Sequence, residues 1–282
     1  MPNPALLIAL FALVFAPFGT AAATTATQWS SSHKSKARLL AGTVIAEDGS
    51  RVLYAAIEIT LTPKWKTYWR HPGEAGGVPP YLDWSKSTNL AGTELLFPAP
   101  QRFKDTVGDA IGYEKHVVLP VRITLLDPAK PVSLAVDFQY GVCLDICIPA
   151  RAKLALPISP SHLQSTPPQL AAALQRIPTA KTATSDNHPS LKRVELRTKQ
   201  AAPEIIIDAR FPLGLKGADL FVETLDDIYL PMTKRVAQPA PDVLRYRIDL
   251  ADGADLGNLA GRKVRFTLVS DAGSAEIEHT LR

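Results

Sequence analysis

Apolar and polar residues alternate over short stretches along most of the chain, which predicts β-strands rather than long helices. The clearest stretches in the first half are residues 51–61 (RVLYAAIEITL), 116–126 (HVVLPVRITLL) and 132–140 (VSLAVDFQY). They are rich in β-branched and aromatic residues, as strands of antiparallel sheets are. Shorter candidates are residues 38–45, 66–70, 94–97 and 152–157. A set of short strands separated by proline and glycine predicts a β-sandwich.

The second half repeats this character after a stretch of different composition. Residues 157–189 are rich in proline, serine and threonine, with one helix-like piece at 169–176. Because such a stretch buries little apolar area, it predicts a linker with one short helix. Strand-like segments follow at residues 191–197, 204–209, 219–223, 229–232, 243–249, 263–270 and 275–281. The sequence therefore predicts an all-β chain with a first sandwich at residues 27–158, a linker at 159–190 and a smaller second sandwich at 191–282.

The first 23 residues predict a secretory signal peptide. They contain no Asp, Glu, Lys or Arg, and an almost unbroken apolar run at residues 5–18 precedes the small residues 19–23. A signal peptide has this shape, although the usual Lys or Arg before the run is missing. A membrane anchor is the alternative, but Pro17 breaks the run, which is shorter than the roughly 18–20 residues of a spanning helix. We expect residues 1–23 to be removed on export to the periplasm and the remaining chain not to span a membrane.

The charge distribution argues against nucleic-acid binding. The 31 basic and 27 acidic residues all follow the first 23, are mixed along the chain and leave a formal net charge of +4. The basic residues form no dense tract interleaved with aromatic residues. The sequence also has no Gly-x-Ser-x-Gly motif and no phosphate-binding loop, so a hydrolase has little support.

Cys143 and Cys147 are the two cysteines of the chain, in the sequence VCLDICIP between two predicted strands. Three intervening residues allow the sulfurs to meet in a tight loop, since a disulfide needs Cα atoms within about 4.4–6.8 Å. A chain of this length buries a sufficient core without disulfides, and closing so small a loop contributes little chain entropy. Three alternatives follow: an exchangeable disulfide, a bridge that only staples a hairpin, or a copper or zinc site completed by histidines such as His71 or His116.

Aromatic residues gather around a glycine-rich turn at residues 73–77. A platform for carbohydrate or peptide is one interpretation, but aromatic residues at strand ends are more often part of the core. We expect a core role for this group, which consists of Trp65, Tyr68, Trp69, Tyr81 and Trp84.

Four segments form a further pattern: residues 65–73 (WKTYWRHPG), 97–100 (FPAP), 112–121 (GYEKHVVLPV) and 143–149 (CLDICIP). Together they resemble the periplasmic N-terminal domain of the DsbD protein-disulfide reductases. The resemblance covers residues 38–157 and is greatest to the branch that includes the copper-sensitivity suppressor protein ScsB, whose corresponding region has a second immunoglobulin-like domain. It implies two immunoglobulin-like β-sandwich domains in this chain.

The resemblance also implies a function. In that family the domain passes electrons from a membrane domain, by way of a thioredoxin-like domain, to periplasmic thioredoxin-fold proteins. Carried onto this chain, Cys147 forms the mixed disulfide with a partner and Cys143 resolves it, without a cofactor. Because no multi-helix membrane domain occurs before Arg282, we expect a separate membrane electron carrier to reduce this protein. The alternatives are a non-catalytic binding or assembly module with a structural disulfide, and a copper-handling protein.

Two departures from the family pattern concern the surroundings of the sulfurs. Well-known members separate the cysteines by five residues, whereas three stand here. Those members also shield the sulfurs with an aromatic residue on a cap loop, a position that falls on Thr106 here, with Phe103 or Val107 as possible substitutes. Asp145 lies between the cysteines, where a negative charge would raise the pKa of a thiol, but we expect it to be a solvated loop residue. The candidate residues of the sulfur environment are therefore Phe103, Asp105, Thr106, Val107, Tyr113, Tyr140 and Asp145.

Overall fold

The computed structural model describes residues 25–46, 48–104, 108–158, 166–180, 187–226 and 228–282. The predicted signal peptide at residues 1–23 and parts of the predicted linker lie outside these residues. Within them, most elements are strands, and the helices are short and lie in connections between strands. The prediction of an all-β chain is therefore confirmed. No helix of the described part is long and apolar enough to cross a membrane.

The first half of the chain folds into two facing sheets. One sheet has the strand order β1-β2-β3-β9-β6, and the other has the order β11-β10-β4-β8-β7 with β5 paired to β10. The strands are β1 Ser30–Ser32, β2 Ser35–Ile45, β3 Arg51–Leu61, β4 Lys66–Gly73, β5 Tyr81–Asp83, β6 Leu90–Leu95, β7 Gln101–Phe103, β8 Ala110–Glu114, β9 His116–Leu125, β10 Val132–Cys143 and β11 Cys147–Ile158.

Alternate side chains of these strands form one apolar core between the sheets. Leu39, Ile57 and Leu119 from the first sheet and Leu134 and Phe138 from the second have no exposed surface. Since successive residues of a strand point to opposite faces, this leaves a second set of side chains on the outer face of each sheet. The cysteine-bearing sheet uses that outer face for the site described below.

The second half forms another pair of sheets with a core of its own. Their strand orders are β12-β19-β18-β15 and β13-β14-β17-β16, and residues such as Ile207, Tyr246 and Phe266 are buried between them. The elements are β12 Thr179–Ala180, β13 Ser190–Arg197, β14 Glu204–Arg210, β15 Asp219–Thr224, β16 Lys234–Ala240, β17 Val243–Asp249, a 3-10 helix Leu256–Asn258, β18 Lys263–Ser270 and β19 Gly273–Thr280.

A short helix, α1 Pro168–Leu174, lies between the two pairs of sheets in sequence. Its buried residues Leu170 and Ala173 pack against Tyr54 and Val118 on the outer face of the first sheet. The proline at the first turn fits the helix start, where no backbone donor is needed. The predicted domain boundaries at residues 158 and 190 stay a prediction.

One predicted strand is wrong. Residues 229–232 lie outside the strands, and the sheet edge is formed instead by β16. The apolar residues that suggested a strand, Leu230 and Met232, are buried in the two different cores without joining a ladder. Strand β16 is almost fully exposed, so it lacks the apolar alternation by which a strand is recognised.

The two sandwiches contact each other through apolar side chains. Phe221 of β15, Val269 of β18 and Met232 are buried in the same cluster as Trp69 of β4. The ring centroids of Trp69 and Phe221 are 5.9 Å apart. The second sandwich therefore covers part of β4, the strand next to the cysteine hairpin.

Candidate functional site

The two cysteines stand at the closed end of a β-hairpin formed by β10 and β11. The strands pair antiparallel in unbroken register from Val132 opposite Ile158 to Cys143 opposite Cys147, and residues 144–146 form the turn. Cys143 also lies opposite Lys66 of β4. The sulfur pair is therefore held where three strands of one sheet come together.

The two cysteines differ in their access to solvent. They are joined by a disulfide, with Cα atoms 4.2 Å apart. Cys143 is only 4% exposed, whereas Cys147 is an exposed residue and its neighbour in the turn, Ile146, is 68% exposed. A reacting group that approaches from solvent meets Cys147 and not Cys143.

Cys143 faces away from the main core. Val142, on the other face of β10, belongs to the apolar core between the sheets, whereas Cys143 forms a separate small cluster with Tyr68 and Ala110. Phe103, at the end of β7, packs against this cluster and is half-buried. An aromatic ring from the predicted cap stretch therefore lies beside the buried cysteine.

Tyr68 of β4 contacts the exposed cysteine directly. Its hydroxyl oxygen lies 2.8 Å from Sγ of Cys147, and the side chain is almost completely buried. Two glycines leave the space that its ring occupies: a Cβ at Gly77 would lie 2.2 Å from Cζ of Tyr68, and a Cβ at Gly141 would lie 3.1 Å from Cδ2. The sequence thus places a phenol hydroxyl against Cys147, and the two glycines leave room for its ring.

Of the other candidate residues, two are buried, one is exposed and three lie outside the residues that the structure describes. Tyr140 is buried in the main core, where its hydroxyl lies 2.8 Å from Oγ of Ser35. The Tyr113 hydroxyl donates to the carbonyl oxygen of Pro98 at 2.7 Å, and burial raises the pKa of Tyr113 well above its ordinary value. Asp145 is an exposed turn residue. The remaining three candidates, Asp105, Thr106 and Val107, lie outside the described residues.

Tyr68 is the site residue that sequence reasoning missed. The pattern assigned it to an aromatic core group, and its burial agrees with that assignment. Its contact with Cys147 joins residues 79 positions apart, which no local pattern reveals. Gly77 and Gly141 could have indicated that a bulky side chain packs against them. The sequence does not show, however, that both lie against the ring of Tyr68.

His116, one of the two histidines considered for a metal site, contacts a carboxylate on a sheet other than that of the cysteines. Nε2 of His116 lies 2.9 Å from Oε1 of Glu58, on the sheet that does not contain the cysteines. In the part of the chain that the structure describes, no group of three or more His, Cys, Asp or Glu side chains could hold a metal ion.

The fold and the sulfur pair together define an immunoglobulin-like domain of the thiol–disulfide interchange class. Residues 41–159 match the family model described as thiol:disulfide interchange protein DsbD, N-terminal. These residues make up most of the first sandwich, and the match confirms the resemblance predicted from the sequence motifs.

One solved structure extends the comparison to both sandwiches. The N-terminal periplasmic domain of ScsB from Proteus mirabilis is similar with a TM-score of 0.68 and 21% sequence identity, over 91% of this chain and 98% of that chain. At this identity the likeness concerns the fold, and its coverage includes both sandwiches of this chain. No curated protein sequence matches the chain.

Proposed function

We propose that this protein exchanges thiol and disulfide with thioredoxin-fold partners in the periplasm, through Cys143 and Cys147. The observation that carries the proposal is the unequal burial of a bonded pair: Cys147 is exposed and Cys143 is 4% exposed. A disulfide that only stapled the hairpin would need neither this difference nor a phenol directed at one sulfur. The match of residues 41–159 to the DsbD N-terminal family model supports the same chemistry.

The exchange proceeds through a mixed disulfide at Cys147. In the reduced protein, the Cys147 thiolate attacks one sulfur of the partner's disulfide, and the partner's other sulfur leaves as a thiolate. Cys143, after losing its proton, then attacks Sγ of Cys147 and releases the partner's first sulfur as a thiolate. The two electrons of the dithiol pass to the partner, which leaves as a dithiol after taking up two protons, and the Cys143–Cys147 disulfide forms again.

Tyr68 and Phe103 have separate roles in this proposal. The Tyr68 hydroxyl donates a hydrogen bond to the Cys147 thiolate, which favours the charged and reactive form. Phe103 packs beside Cys143 and keeps water and small thiols from the resolving sulfur. Asp145, Tyr113 and Tyr140 take no part in the chemistry.

Exposed apolar residues next to the hairpin provide a surface for a partner. Val78 is 42% exposed and its carbonyl oxygen accepts a hydrogen bond from the amide of Gly141 at 2.9 Å. Tyr81, 61% exposed, pairs with Gln139 of β10. With Ile146 of the turn, these side chains lie along the end of β10 that leads to the cysteines, and apolar residues of this kind are typical of the centre of a protein interface. A separate membrane electron carrier then regenerates the dithiol.

A redox titration and a trapping experiment test the proposal. Cys143→Ala leaves Cys147 able to attack but removes the resolving sulfur, so a mixed disulfide with a thioredoxin-fold protein is expected to accumulate on a non-reducing gel. Cys147→Ala is the matched control and should trap none, because Cys143 is buried. The proposal is overturned if neither variant traps a partner and the native disulfide resists reduced glutathione while the protein stays folded.

A further inference from the structure

Strand β7 has two neighbouring side chains that serve different parts of the molecule. Phe103 packs in the cluster of Cys143 and Tyr68. Arg102 points to the opposite face, as alternation along a strand requires, and reaches the second sandwich. Any movement of β7 that displaces the Arg102 side chain therefore also displaces the ring beside the buried cysteine.

The Arg102 guanidinium joins β7 to β15 and to the residues that directly precede β8 and β16. Its Nε and Nη2 donate to the two carboxylate oxygens of Asp219, at 2.8 and 2.9 Å, and Nη2 also donates to Oγ1 of Thr233 at 2.9 Å. Its Nη1 donates to Oδ2 of Asp109, just before β8, at 3.2 Å. A two-pronged Arg–carboxylate pair fixes direction as well as distance. Because the Arg102 side chain is only 16% exposed, solvent screens this pair less than it screens a surface pair.

Strand β4 is held to the second sandwich in a similar way. Nε of Arg70 donates to both carboxylate oxygens of Glu223, at 2.9 and 3.0 Å, and Nη2 donates to a carboxylate oxygen of Glu276. The preceding residue, Trp69, packs against Phe221 of β15. Tyr68, next to Trp69, is the residue that contacts Cys147.

The glycine-rich turn after β4 is attached at a third point. Oε1 of Glu74 accepts a hydrogen bond from the backbone amide of Met232 at 3.0 Å. Gly77, in the same turn, lies against the Tyr68 ring. All three attachments thus lie within a few residues of a side chain that contacts the sulfur cluster.

We propose that the second sandwich is a positioning domain for the cysteine pair. It holds β4 and β7 through Arg70 and Arg102, and so keeps Tyr68 at Cys147 and Phe103 at Cys143. Arg102 is a positioning residue, since it acts through its neighbour Phe103. The inference rests on the proposed exchange function, because a reactive constellation works only when its supporting residues are themselves held in place.

The test measures how easily a small reagent reaches the buried Cys143, beside which Phe103 packs. The full chain with Cys147→Ala has Cys143 as its single thiol, and its alkylation by iodoacetamide is followed as a function of pH. The plateau rate above the ordinary thiol pKa of about 8.5 reports access, because the sulfur is ionised there. Asp219→Asn removes the charge that Arg102 binds while keeping the side-chain shape. We expect the plateau rate to rise about threefold or more, because the surroundings of the sulfur are held less firmly.

Asp208→Asn is the matched control. It breaks an Arg–Asp pair of the same two-pronged kind, with Arg245 at 2.6 and 2.8 Å, on the sheet of the second sandwich that contains β14 and β17. We expect no change in the plateau rate. Arg102→Gln combined with Asp219→Asn should add nothing to Arg102→Gln alone, since the charge of Asp219 acts through Arg102.

A plateau rate for Asp219→Asn equal to that of the parent and of Asp208→Asn overturns the proposal. If circular dichroism shows that Asp219→Asn does not fold, Glu223→Gln, which weakens the Arg70 pair, is measured in its place with the same expected and overturning results. Alkylation needs no partner protein, so the result stands apart from the trapping experiment. A failure of exchange with thioredoxin-fold partners would refute the proposed function without deciding this measurement.

Discussion

The contact between the Tyr68 hydroxyl and Sγ of Cys147 gives the exposed cysteine a hydrogen-bond donor from within the protein. Tyr68→Phe keeps the buried ring and removes only this donor. We expect the alkylation rate of Cys147 at neutral pH, measured in the Cys143→Ala protein, to fall roughly tenfold, because a hydrogen bond to a charged group is lost. The midpoint of the pH–rate profile should move to higher pH, since the thiolate is less favoured.

Tyr54→Phe is the control for this change. Tyr54 is also buried, and its hydroxyl accepts a hydrogen bond from Arg122 Nε at 3.3 Å on the other sheet of the same sandwich. Its loss should leave the pH–rate profile of Cys147 unchanged. Identical profiles for Tyr68→Phe and the parent protein would show that the phenol does not favour the thiolate.

At the scale of single residues, the sequence was enough to find the cysteine pair but not its surroundings. Two cysteines three residues apart are visible in the sequence, and their position between predicted strands indicated a hairpin. The difference in exposure between Cys143 and Cys147 depends on which face of β10 is covered, and therefore on Tyr68, Ala110 and Phe103. These three residues come from three other strands, so their meeting follows from sheet order rather than local pattern.

At the scale of elements, the turn that follows β4 shapes the site through Gly77. Its φ of +147° is one that residues with a side chain rarely adopt, and a Cβ there would overlap the Tyr68 ring. We expect Gly77→Ala to lower the free energy of unfolding by about 2 kcal/mol or more in urea titrations, because backbone strain and overpacking add. The alkylation rate of Cys147 should change as well, because the ring must move.

Gly76→Ala separates the two effects. Gly76 has a φ of +70°, but a Cβ there would meet nothing within 4 Å. The free energy of unfolding should therefore fall by only about 1 kcal/mol, because a residue with a side chain is strained in the left-handed conformation. The reactivity of Cys147 should not change. Equal losses for the two alanine variants, with equal reactivity, would show that the Tyr68 ring does not depend on Gly77.

Strands that bury one face were predictable from sequence, and exposed strands were not. The boundaries of β3, β17 and β18 agree with their predicted segments, since β17 and β18 alternate between apolar and polar residues and β3 is a long, largely apolar run. Strand β16 shows no such alternation, and β7 and β8 are too short to form a pattern. The missed strands β7 and β8 are among those that surround the sulfurs. The alternation of apolar and polar residues was therefore least informative for the strands that form the site.

At the scale of the whole molecule, Phe221 joins the second sandwich to the core of the first. Because its ring is 2% exposed and packs against Trp69, Phe221→Ala should reduce the free energy of unfolding by about 3–5 kcal/mol. We further expect the two sandwiches to unfold in separate steps, visible in calorimetry as a split transition, because their shared apolar contact is lost.

Phe266→Ala provides the comparison, since this ring is buried wholly within the second sandwich. It should destabilise that sandwich by a similar amount while leaving the contact with Trp69 in place. A single cooperative transition for Phe221→Ala would contradict the view that this contact couples the two units. The sequence could not predict the coupling, because Phe221, Met232 and Val269 look like ordinary core residues of their own half.

The register of β10 and β11 has a consequence for the oxidation and reduction of the disulfide. The disulfide joins the last rung of the ladder, and the rungs from Gly141 opposite Pro149 to Val132 opposite Ile158 do not depend on it. Reduction of the disulfide therefore requires no strand to move. We expect the backbone conformation to be the same in the oxidised and the reduced protein. If the two redox states differ by electrons and protons but not in fold, no conformational change limits the rate of exchange. That rate is then set by the rate at which partner proteins bind.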